Sequence, residues 1–368
     1  MIISPVPAPQ AKAFRCESCG AEMTFDPRAG ALACSYCGAR KQAAAPTGAL
    51  VVEHELSEGL ALAAPRGLGV AVKTIRCTEC GAEVQLEPQV TATRCTFCGS
   101  PSVLAAEAAE EPIRPESVLA FRCDRPAALE SYRGWLARLW LRPSDLKSKA
   151  ALEEIAGVYV PFWTFDCAVA SSWSADSGYF YYTTETYTDT ENGQSVERTR
   201  EVQHVRWEPA SGARNDSYDD LLVCGSRGLP QGLAQKLHTF DTSALQPYSP
   251  DYLAGFRAEK YAIDLPEAFQ RALVQVEHEQ QRRCAGDVPG DTQRGLQVSS
   301  TVSNVTFKHV LLPLWIAAYR YGGKVYRFVV NGQTGEVQGS APYSVAKIAL
   351  LVLVVLLVLL ALAASGHR

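Results

Sequence analysis

The sequence predicts an α+β protein of several domains: two small N-terminal β modules, a mixed α+β domain with antiparallel β-hairpins, and one C-terminal apolar helix. Three observations carry this prediction. Eight cysteines fall into two repeated groups, extended and helical hydrophobic periods alternate through the middle of the chain, and an apolar run lies near its end. A chain of 368 residues with 47% hydrophobic residues can also bury a large core outside the cysteine modules.

The cysteines form an internal repeat. Two C-x2-C pairs separated by fourteen residues occur twice, with a constant offset of 61 residues. The first group is Cys16, Cys19, Cys34 and Cys37, and the second is Cys77, Cys80, Cys95 and Cys98. Four thiolates supplied as two pairs suit the tetrahedral coordination of zinc, with Zn–S distances of about 2.3 Å. Two disulfides per module, or an iron–sulfur cluster, are the alternatives.

Each module is predicted to be a zinc ribbon. A glycine follows the second cysteine of every pair, where the turn favours a left-handed backbone. The fourteen intervening residues suit one hairpin, which in the first module turns at residues 26–30. Because each set has four cysteines and no fifth ligand, we expect two closed, structural zinc sites that stabilise the fold and do no chemistry.

The predicted domain boundaries follow from these motifs and from Ala/Pro-rich linkers. They are 14–40 for ribbon 1, 41–74 for a linker with a short helix, 75–100 for ribbon 2, 101–117 for a second linker, 118–343 for the α+β domain and 345–364 for the apolar helix. Within the α+β domain, Asp124 is a helix N-cap and residues 143–155 suggest a second helix. Asn192-Gly193 predicts a long hairpin whose outer faces lie partly in solvent.

The later part of the α+β domain is predicted to be helical over residues 219–285, with Asp264 starting a capping box, and then to form a β-meander that turns at Gly322-Gly323. Pro-x-Trp occurs at Pro161 and again at Pro313, each time in a strand-like run. This recurrence indicates either a second internal duplication or chance.

The apolar run Ile348–Ala364 predicts one membrane span, because seventeen helical residues extend about 26 Å. Tyr343 and Lys347 before it are typical of a membrane interface. Four residues follow the run, so the sequence predicts a tail-anchored, single-pass membrane protein. Zinc-binding thiols require a reducing compartment, which places the bulk of the chain in the cytoplasm.

Composition and motifs disfavour two functional classes. The net charge is −4, ribbon 1 is neutral and ribbon 2 carries one net negative charge, so nucleic-acid binding is not favoured. Nucleotide-binding and hydrolase motifs are missing, and His278-Glu279 lacks the second histidine of H-E-x-x-H, where Arg282 stands. The remaining cysteines, which lack a neighbouring base, are Cys123, Cys167, Cys224 and Cys284. We therefore predict no enzyme and identify no small-molecule substrate.

Besides the two cysteine groups, the sequence contains the motifs Gly157–Trp163, Tyr252–Phe256 with Glu259 and Tyr261, Leu311–Trp315 and Val330–Val337 before the apolar run. Together these motifs resemble bacterial tandem zinc-ribbon proteins of the transcription-factor-IIB type, often labelled primosomal replication factor-like or helicase-like. The chain lacks helicase ATPase motifs, so that label does not carry over. The resemblance implies a membrane partner in an envelope-stress module, alongside phage-shock-type or SPFH-domain proteins, and only the eight cysteines carry over as site residues.

The predicted function is therefore that of a membrane-anchored, zinc-binding adaptor that presents two structural ribbons to a cytoplasmic or membrane protein partner. A first alternative is a zinc-ribbon nucleic-acid-binding protein linked to replication or transcription. A second alternative is an enzyme of unknown class in the α+β domain.

Overall fold

The structure is a computed structural model, and it describes residues 14–43, 51–61, 73–86, 95, 97, 103–105, 115–146, 155–191, 194–234, 236–237 and 239–365. It has a sheet-rich α+β architecture, in agreement with the predicted class. Most of the second predicted helix and the Asn192-Gly193 turn lie outside the described residues. The predicted domain boundaries remain predictions.

The described secondary structure contains β-strands, α-helices and two 3-10 turns. The strands are β1 Met23–Asp26, β2 Ala31–Cys34, β3 Arg40–Gln42, β4 His54–Glu55, β5 Lys73–Cys77, β6 Glu83–Leu86, β7 Val103–Ala105, β8 Ser117–Val118, β9 Ala156–Glu191, β10 Gln194–Cys224, β11 Gln246–Pro247, β12 Arg257–Ala258, β13 Thr292–Tyr321, β14 Lys324–Asn331 and β15 Val337–Gly339. The α-helices are α1 Leu56–Ala61, α2 Arg125–Arg138, α3 Gln231–Ala234, α4 Leu265–Asp287 and α5 Val345–Ser365, and the 3-10 turns are Thr242–Ala244 and Pro250–Leu253.

The strands form three sheets. Two small antiparallel sheets, ordered β1-β2-β3 and β6-β5-β7, contain the cysteine modules. The third sheet has the order β10-β9-β13-β14-β15, and the short strands β4, β8, β11 and β12 pair alongside it. The hairpin predicted within ribbon 1 is confirmed, because Asp26 pairs with Ala31 and Gly30 closes the turn with φ of 61°.

The helix predicted over residues 219–285 is wrong for most of its length. Strand β10 continues to Cys224 because the alternation of exposed and partly buried residues persists, and the following stretch contains only α3 and the two 3-10 turns. Prolines at 247 and 250 remove the amide hydrogens that a continuous helix needs. Helix α4 begins after Asp264, whose Oδ1 accepts a hydrogen bond from the Glu267 amide at 3.0 Å, as the capping box predicts.

The chain divides into two compact units. Unit 1 comprises Met1–Thr164, Leu222–Ala268 and Phe307–Arg368, and unit 2 comprises Phe165–Leu221 and Phe269–Thr306. Unit 2 has a small core in which Cys167 and Val169 of β9 lie with Val276 of α4. Within unit 2, the far end of the β9–β10 hairpin is exposed over Tyr181–Tyr187, as predicted for part of that hairpin.

Two hydrophobic clusters are formed by described residues of unit 1, and consecutive residues of β13 alternate between them. Leu311 belongs to the first cluster, whereas Val310 and Leu312 belong to the second. Since neighbouring side chains of a strand point to opposite faces, this part of the sheet is buried on both faces. Phe25 of ribbon 1 belongs to the first cluster, and Phe97 of ribbon 2 belongs to the second.

One hydrogen-bond pattern occurs twice within unit 1. We name its two occurrences copy A, which comprises residues 117–128, 310–315 and 331–333, and copy B, which comprises residues 257–268, 158–163 and 224–226. In each copy a two-residue strand pairs in parallel with a long strand, β8 with β13 in copy A and β12 with β9 in copy B. The first residue after the short strand then donates its amide to the long strand, Leu119 to the Leu311 oxygen at 3.0 Å and Glu259 to the Tyr159 oxygen at 2.9 Å.

The tryptophan and proline of each Pro-x-Trp make equivalent contacts. The indole of Trp315 donates to the Cys123 oxygen at 2.8 Å, and that of Trp163 to the Ile263 oxygen at 2.9 Å. The proline oxygen accepts from a glycine amide at 2.8 Å in both copies, from Gly332 to Pro313 and from Gly225 to Pro161. This repeated set of contacts supports an internal duplication in which each short strand pairs with the long strand of the other repeat.

Helix α5 has a mean hydropathy of 3.2 over Val345–Leu362, and none of that segment is buried. By its length and composition this helix can cross a membrane.

Candidate metal centres

The described cysteine knuckles close in the same way. In each, the amide of the glycine after the pair donates to the carbonyl oxygen of the first cysteine: Gly20 to Cys16 at 2.8 Å, Gly38 to Cys34 at 2.9 Å and Gly81 to Cys77 at 2.9 Å. These glycines have φ of 74–75°, which confirms the predicted left-handed turn. The turn brings both thiols of a pair to one side of the backbone.

The first cysteine group has the geometry of a four-sulfur metal site. The Sγ atoms of all four cysteines lie within 4.8 Å of one another, with separations of 3.4 Å between Cys16 and Cys37 and 3.6 Å between Cys19 and Cys34. A disulfide requires about 2.05 Å. Tetrahedral coordination at about 2.3 Å places sulfurs about 3.8 Å apart. The thiols present therefore fit a tetrahedral ion such as zinc.

The pKa values of the thiols in this group also suit a bound cation. The Ser18 and Cys19 amides donate to the Cys16 sulfur and lower the pKa of Cys16 to about 6. The Cys37 and Tyr36 amides likewise lower the pKa of Cys34. The first thiol of each knuckle is thus stabilised as a thiolate by its own turn.

The second thiol of each knuckle behaves in the opposite way. The Ala21 amide lowers the pKa of Cys19, but the surrounding thiols, led by Cys37, and burial together raise it to about 12. The pKa of Cys37 is also raised: the Ala39 amide lowers it, and the Cys16 sulfur opposes this most strongly. Four thiolates this close repel one another, and a divalent cation at their centre would remove that repulsion.

The second cysteine group is similar in its described part. The Sγ atoms of Cys77, Cys80 and Cys95 lie within 4.8 Å of one another, and Cys80 and Cys95 are 3.6 Å apart. Cys98, the predicted fourth ligand, lies outside the described residues. Both groups could hold a metal ion, and zinc suits their ligand chemistry.

Ribbon 1 is fixed to the rest of unit 1 through the hairpin between its two cysteine pairs. The Phe25 amide donates to the Ala254 oxygen at 2.9 Å, and the Phe25 ring lies 5.4 Å from the Tyr252 ring. Arg28, in the turn, forms an ion pair with Asp124. The Asp124 side chain also caps α2 by accepting from the Ala127 amide at 3.0 Å.

Ribbon 2 is fixed to the rest of unit 1 beside a buried carboxyl group, that of Glu259. The Lys260 amide donates to the Glu83 oxygen of β6 at 3.1 Å, and the Ser226 hydroxyl donates to Glu259 Oε1 at 2.8 Å. Glu259 Oε2 is buried and has no hydrogen-bond partner among the described residues. Burial raises the pKa of Glu259 well above its usual range, although hydrogen bonds from Ser226 and the Glu83 amide oppose this shift.

Ribbon 2 also contacts the segment just after residues 224–226 of copy B, and this contact leaves no room for a side chain at Gly228. A Cβ atom there would lie 2.6 Å from the Ala82 Cβ and 2.9 Å from the Phe97 ring. The Gly228 amide also donates to the Ser226 hydroxyl at 2.9 Å, which orients that hydroxyl toward Glu259. Glu259 and Gly228 were not identified from the sequence as residues that hold ribbon 2. Only the match of Glu259 to the family motif indicated a role for that residue.

The other chemically suggestive residues have structural environments. Glu279 accepts hydrogen bonds from Arg282 and Arg283, which lower its pKa to about 2, so it is held as an ion-pair partner. Burial raises the pKa of the thiols of Cys123, Cys167 and Cys284 and so favours their neutral form. A further acidic group, Asp166, Asp219 and Asp220, has oxygens within 4.8 Å of one another.

Comparison with known proteins identifies a partial relative. No family model matches the chain, and no solved structure matches it. The chain is similar to a curated protein of Bacillus subtilis (strain 168) named "Uncharacterized protein YdjG", with 29% identity over 239 residues. The match covers 64% of this chain and 66% of the relative, so it spans just under two thirds of that protein. The relative's name states no ligand, activity or partner, and the family suggested by the motifs remains an expectation.

Proposed function

We propose that this protein is a membrane-anchored, zinc-binding adaptor that presents its two ribbons to a cytoplasmic or membrane protein partner. The observation that carries the proposal is the attachment of both cysteine modules to the body of unit 1. Phe25 of ribbon 1 and Phe97 of ribbon 2 contribute to different core clusters of one sheet. Modules held in this way act as parts of a rigid surface, whereas modules on flexible tethers would move independently.

The anchor in this proposal is α5, inserted so that the rest of the described chain lies on the cytoplasmic side. The thiols support this orientation because unligated cysteines would be oxidised in an exported compartment. Basic residues adjacent to the start of α5 support it as well. Arg142 donates a hydrogen bond to the Ala341 oxygen just before α5, and Lys347 lies in the first turn of α5. Positive charge on the cytoplasmic flank is the usual arrangement for a membrane span.

The partner surface in this proposal includes the metal-proximal face of ribbon 1. Cys19 and Cys37 are exposed there, and the neighbouring Tyr36 is 84% exposed. Tyrosine is enriched where proteins bind other proteins. Nucleic acid is a weaker candidate because ribbon 1 has no surplus of positive charge to neutralise phosphates.

The test is capture of the full-length protein from native membranes, followed by identification of the partner and reverse capture from the partner's side. Tyr36→Ser should lower the recovered partner at least tenfold. Val274→Ser serves as a matched control, since Val274 is also an exposed apolar side chain, at 65%. Metal analysis should find two zinc ions per wild-type chain and one after Cys16→Ser with Cys19→Ser. Equal partner recovery from wild type and from both ribbon variants would contradict the adaptor proposal.

A further inference from the structure

A small cavity lies where the apolar helix meets the rest of unit 1. Its volume is about 260 Å³, and its walls come from the C-terminal end of α2, the segment after it, and Lys347 of α5. The walls are mixed in character. Leu139 and Leu146 supply apolar surface, while Arg142, Ser144 and Lys347 supply polar groups. A cavity of this composition suits a ligand with one charged end and one apolar end.

Hydrogen bonds connect the segment that lines the cavity to the start of α5. The Ser344 amide donates to the Leu141 oxygen at 2.9 Å, and Lys347 Nζ donates to the Trp140 oxygen at 3.2 Å. Arg142 Nη1 donates to the Ala341 oxygen at 2.5 Å. The start of the apolar helix is therefore attached to the segment that lines the cavity, and the cavity lies at the depth where a membrane surface would begin.

The charged side chains that line the cavity, among the residues that the structure describes, are basic. In the part of the chain that the structure describes, neither Arg142 nor Lys347 forms an ion pair with a carboxylate. Asp145, the acidic residue of the same segment, accepts a hydrogen bond from the Tyr321 hydroxyl at 2.8 Å. The whole chain, by contrast, has a net charge of −4. This local reversal of charge indicates an anionic ligand.

Two exposed aromatic residues flank the cavity. Trp140 is 66% exposed and Tyr343 is 63% exposed. The Arg142 guanidinium lies 3.7 Å from the centre of the Tyr343 ring, so both belong to one surface. Exposed tryptophan and tyrosine beside basic residues are typical of the headgroup layer of a membrane. The aromatic residues indicate that the anion is presented by a lipid surface.

We propose that this cavity receives the headgroup of an anionic phospholipid from the leaflet in which α5 begins, with Arg142 and Lys347 binding its phosphate and the acyl chains lying along α5. The inference rests on the proposed membrane insertion of α5. It adds a specific lipid site, which insertion alone does not require. Each basic side chain at an anionic membrane surface changes affinity about fivefold, so the two together account for about 30-fold.

The experiment measures lipid binding by native mass spectrometry of the full-length protein in neutral detergent. Phosphatidylglycerol, phosphatidylcholine and inorganic phosphate are titrated separately. Wild type should bind one phosphatidylglycerol at least tenfold more tightly than phosphatidylcholine, and inorganic phosphate should not displace it. Arg142→Gln with Lys347→Gln should remove this preference, with a loss of about 30-fold. Arg142→Lys, which keeps the charge, should retain most of it.

Two further measurements keep the outcomes separable. Lys236→Gln with Lys324→Gln is the control, since these lysines are exposed in unit 1 and do not line the cavity. Carbonate extraction of membranes reports insertion by itself. Release of wild type by carbonate would overturn both the anchor and the lipid site. Retention of wild type with equal affinity for the two lipids, or with full preference kept in the Arg142/Lys347 double variant, would overturn the lipid site alone, as would displacement by inorganic phosphate.

Discussion

Copy A and copy B of unit 1 share a backbone pattern but hold different parts of the protein. In both, a buried alanine follows an aspartate N-cap and a proline in the first turn of a helix, and an aromatic side chain packs on the tryptophan of the Pro-x-Trp. The copy A helix, α2, has 14 residues and leads into the segment that meets α5. The copy B helix, α4, has 23 residues, and copy B contacts ribbon 2. Copy A thus leads to the start of α5 and contacts ribbon 1 through Asp124, whereas copy B contacts ribbon 2.

The clearest difference lies at one equivalent position. Leu119 of copy A and Glu259 of copy B are each 1% exposed. A leucine there needs only apolar neighbours, whereas a buried glutamate costs free energy unless its oxygens are hydrogen-bonded. Ser226 supplies one such bond to Oε1, and the Glu83 amide of ribbon 2 also stabilises the ionised carboxyl group, whereas Oε2 has no hydrogen-bond partner among the described residues. Where copy A has an apolar core residue, copy B has a carboxyl group whose environment includes the attached module.

The largest expected effect comes from disrupting the metal site of ribbon 2. Cys77→Ser with Cys80→Ser should abolish one zinc site and forfeit on the order of 10 kcal/mol of metal-binding free energy. Because ribbon 2 contacts copy B, hydrogen exchange should increase at Ser226–Gly228 and at Lys260 more than in copy A. Exchange measured by mass spectrometry on the full-length protein checks this. A uniform increase over both copies would show that the module supports them equally.

The next effect comes from exchanging the two equivalent residues. Leu119→Glu places an unpaired carboxylate in a core and should destabilise the protein by about 3–5 kcal/mol. Glu259→Leu leaves the Ser226 hydroxyl and the Glu83 amide without their acceptor and should cost about 1–3 kcal/mol. Denaturant unfolding monitored by circular dichroism measures both. Glu259→Gln, which keeps a hydrogen-bonding side chain, should cost less than Glu259→Leu, and a reversed order would remove the docking role of Glu259.

The sequence predicts those features that depend on local chemistry. The cysteine spacing, the left-handed glycines and the aspartate caps each follow from a few neighbouring residues, and the structure agrees where it describes them. The sequence does not predict how the ribbons attach to the rest of unit 1. This attachment depends on contacts such as that of Lys260 with Glu83, which are distant in the chain. The duplication left a readable signal, Asp-x-Pro-x-Ala at Asp124 and again at Asp264, which could have supported the Pro-x-Trp recurrence.

A third prediction concerns the extra length of α4, which lies in unit 2. There Asp216 is bound by Arg214 and Arg283, and Glu279 by Arg282 and Arg283. The Arg214 hydrogen bond holds the pKa of Asp216 below its usual range, and Arg282 and Arg283 lower that of Glu279 to about 2. Since these folded-state pKa values lie below the unfolded ones, the stabilisation is complete above about pH 4.5 and is lost as the pH falls toward 2.

Asp216→Asn should therefore cost about 3 kcal/mol at pH 7 and much less at pH 2. Hydrogen exchange along the second half of α4 measures the loss. Glu277→Gln is the matched control on the same helix, because Glu277 is exposed. The control should behave as wild type at both pH values. An Asp216→Asn deficit that does not shrink in acid would show that packing, and not the ion pairs, holds the longer helix.

The smallest effect distinguishes the two helix caps. Asp124→Ala and Asp264→Ala each remove a hydrogen bond to the first turn of a helix and should each cost about 1 kcal/mol. Asp124 also pairs with Arg28 of ribbon 1, whose side chain is 70% exposed, so this pair should add no more than about 0.5 kcal/mol. Asparagine caps a helix as well as aspartate does but carries no charge. Asp264→Asn should thus be nearly neutral, while Asp124→Asn should lose only the ion pair, and this loss should vanish in the background of Arg28→Ala. Thermal unfolding at low salt measures the difference, and equal behaviour of the two asparagine variants would mean that ribbon 1 gains nothing from the cap of copy A.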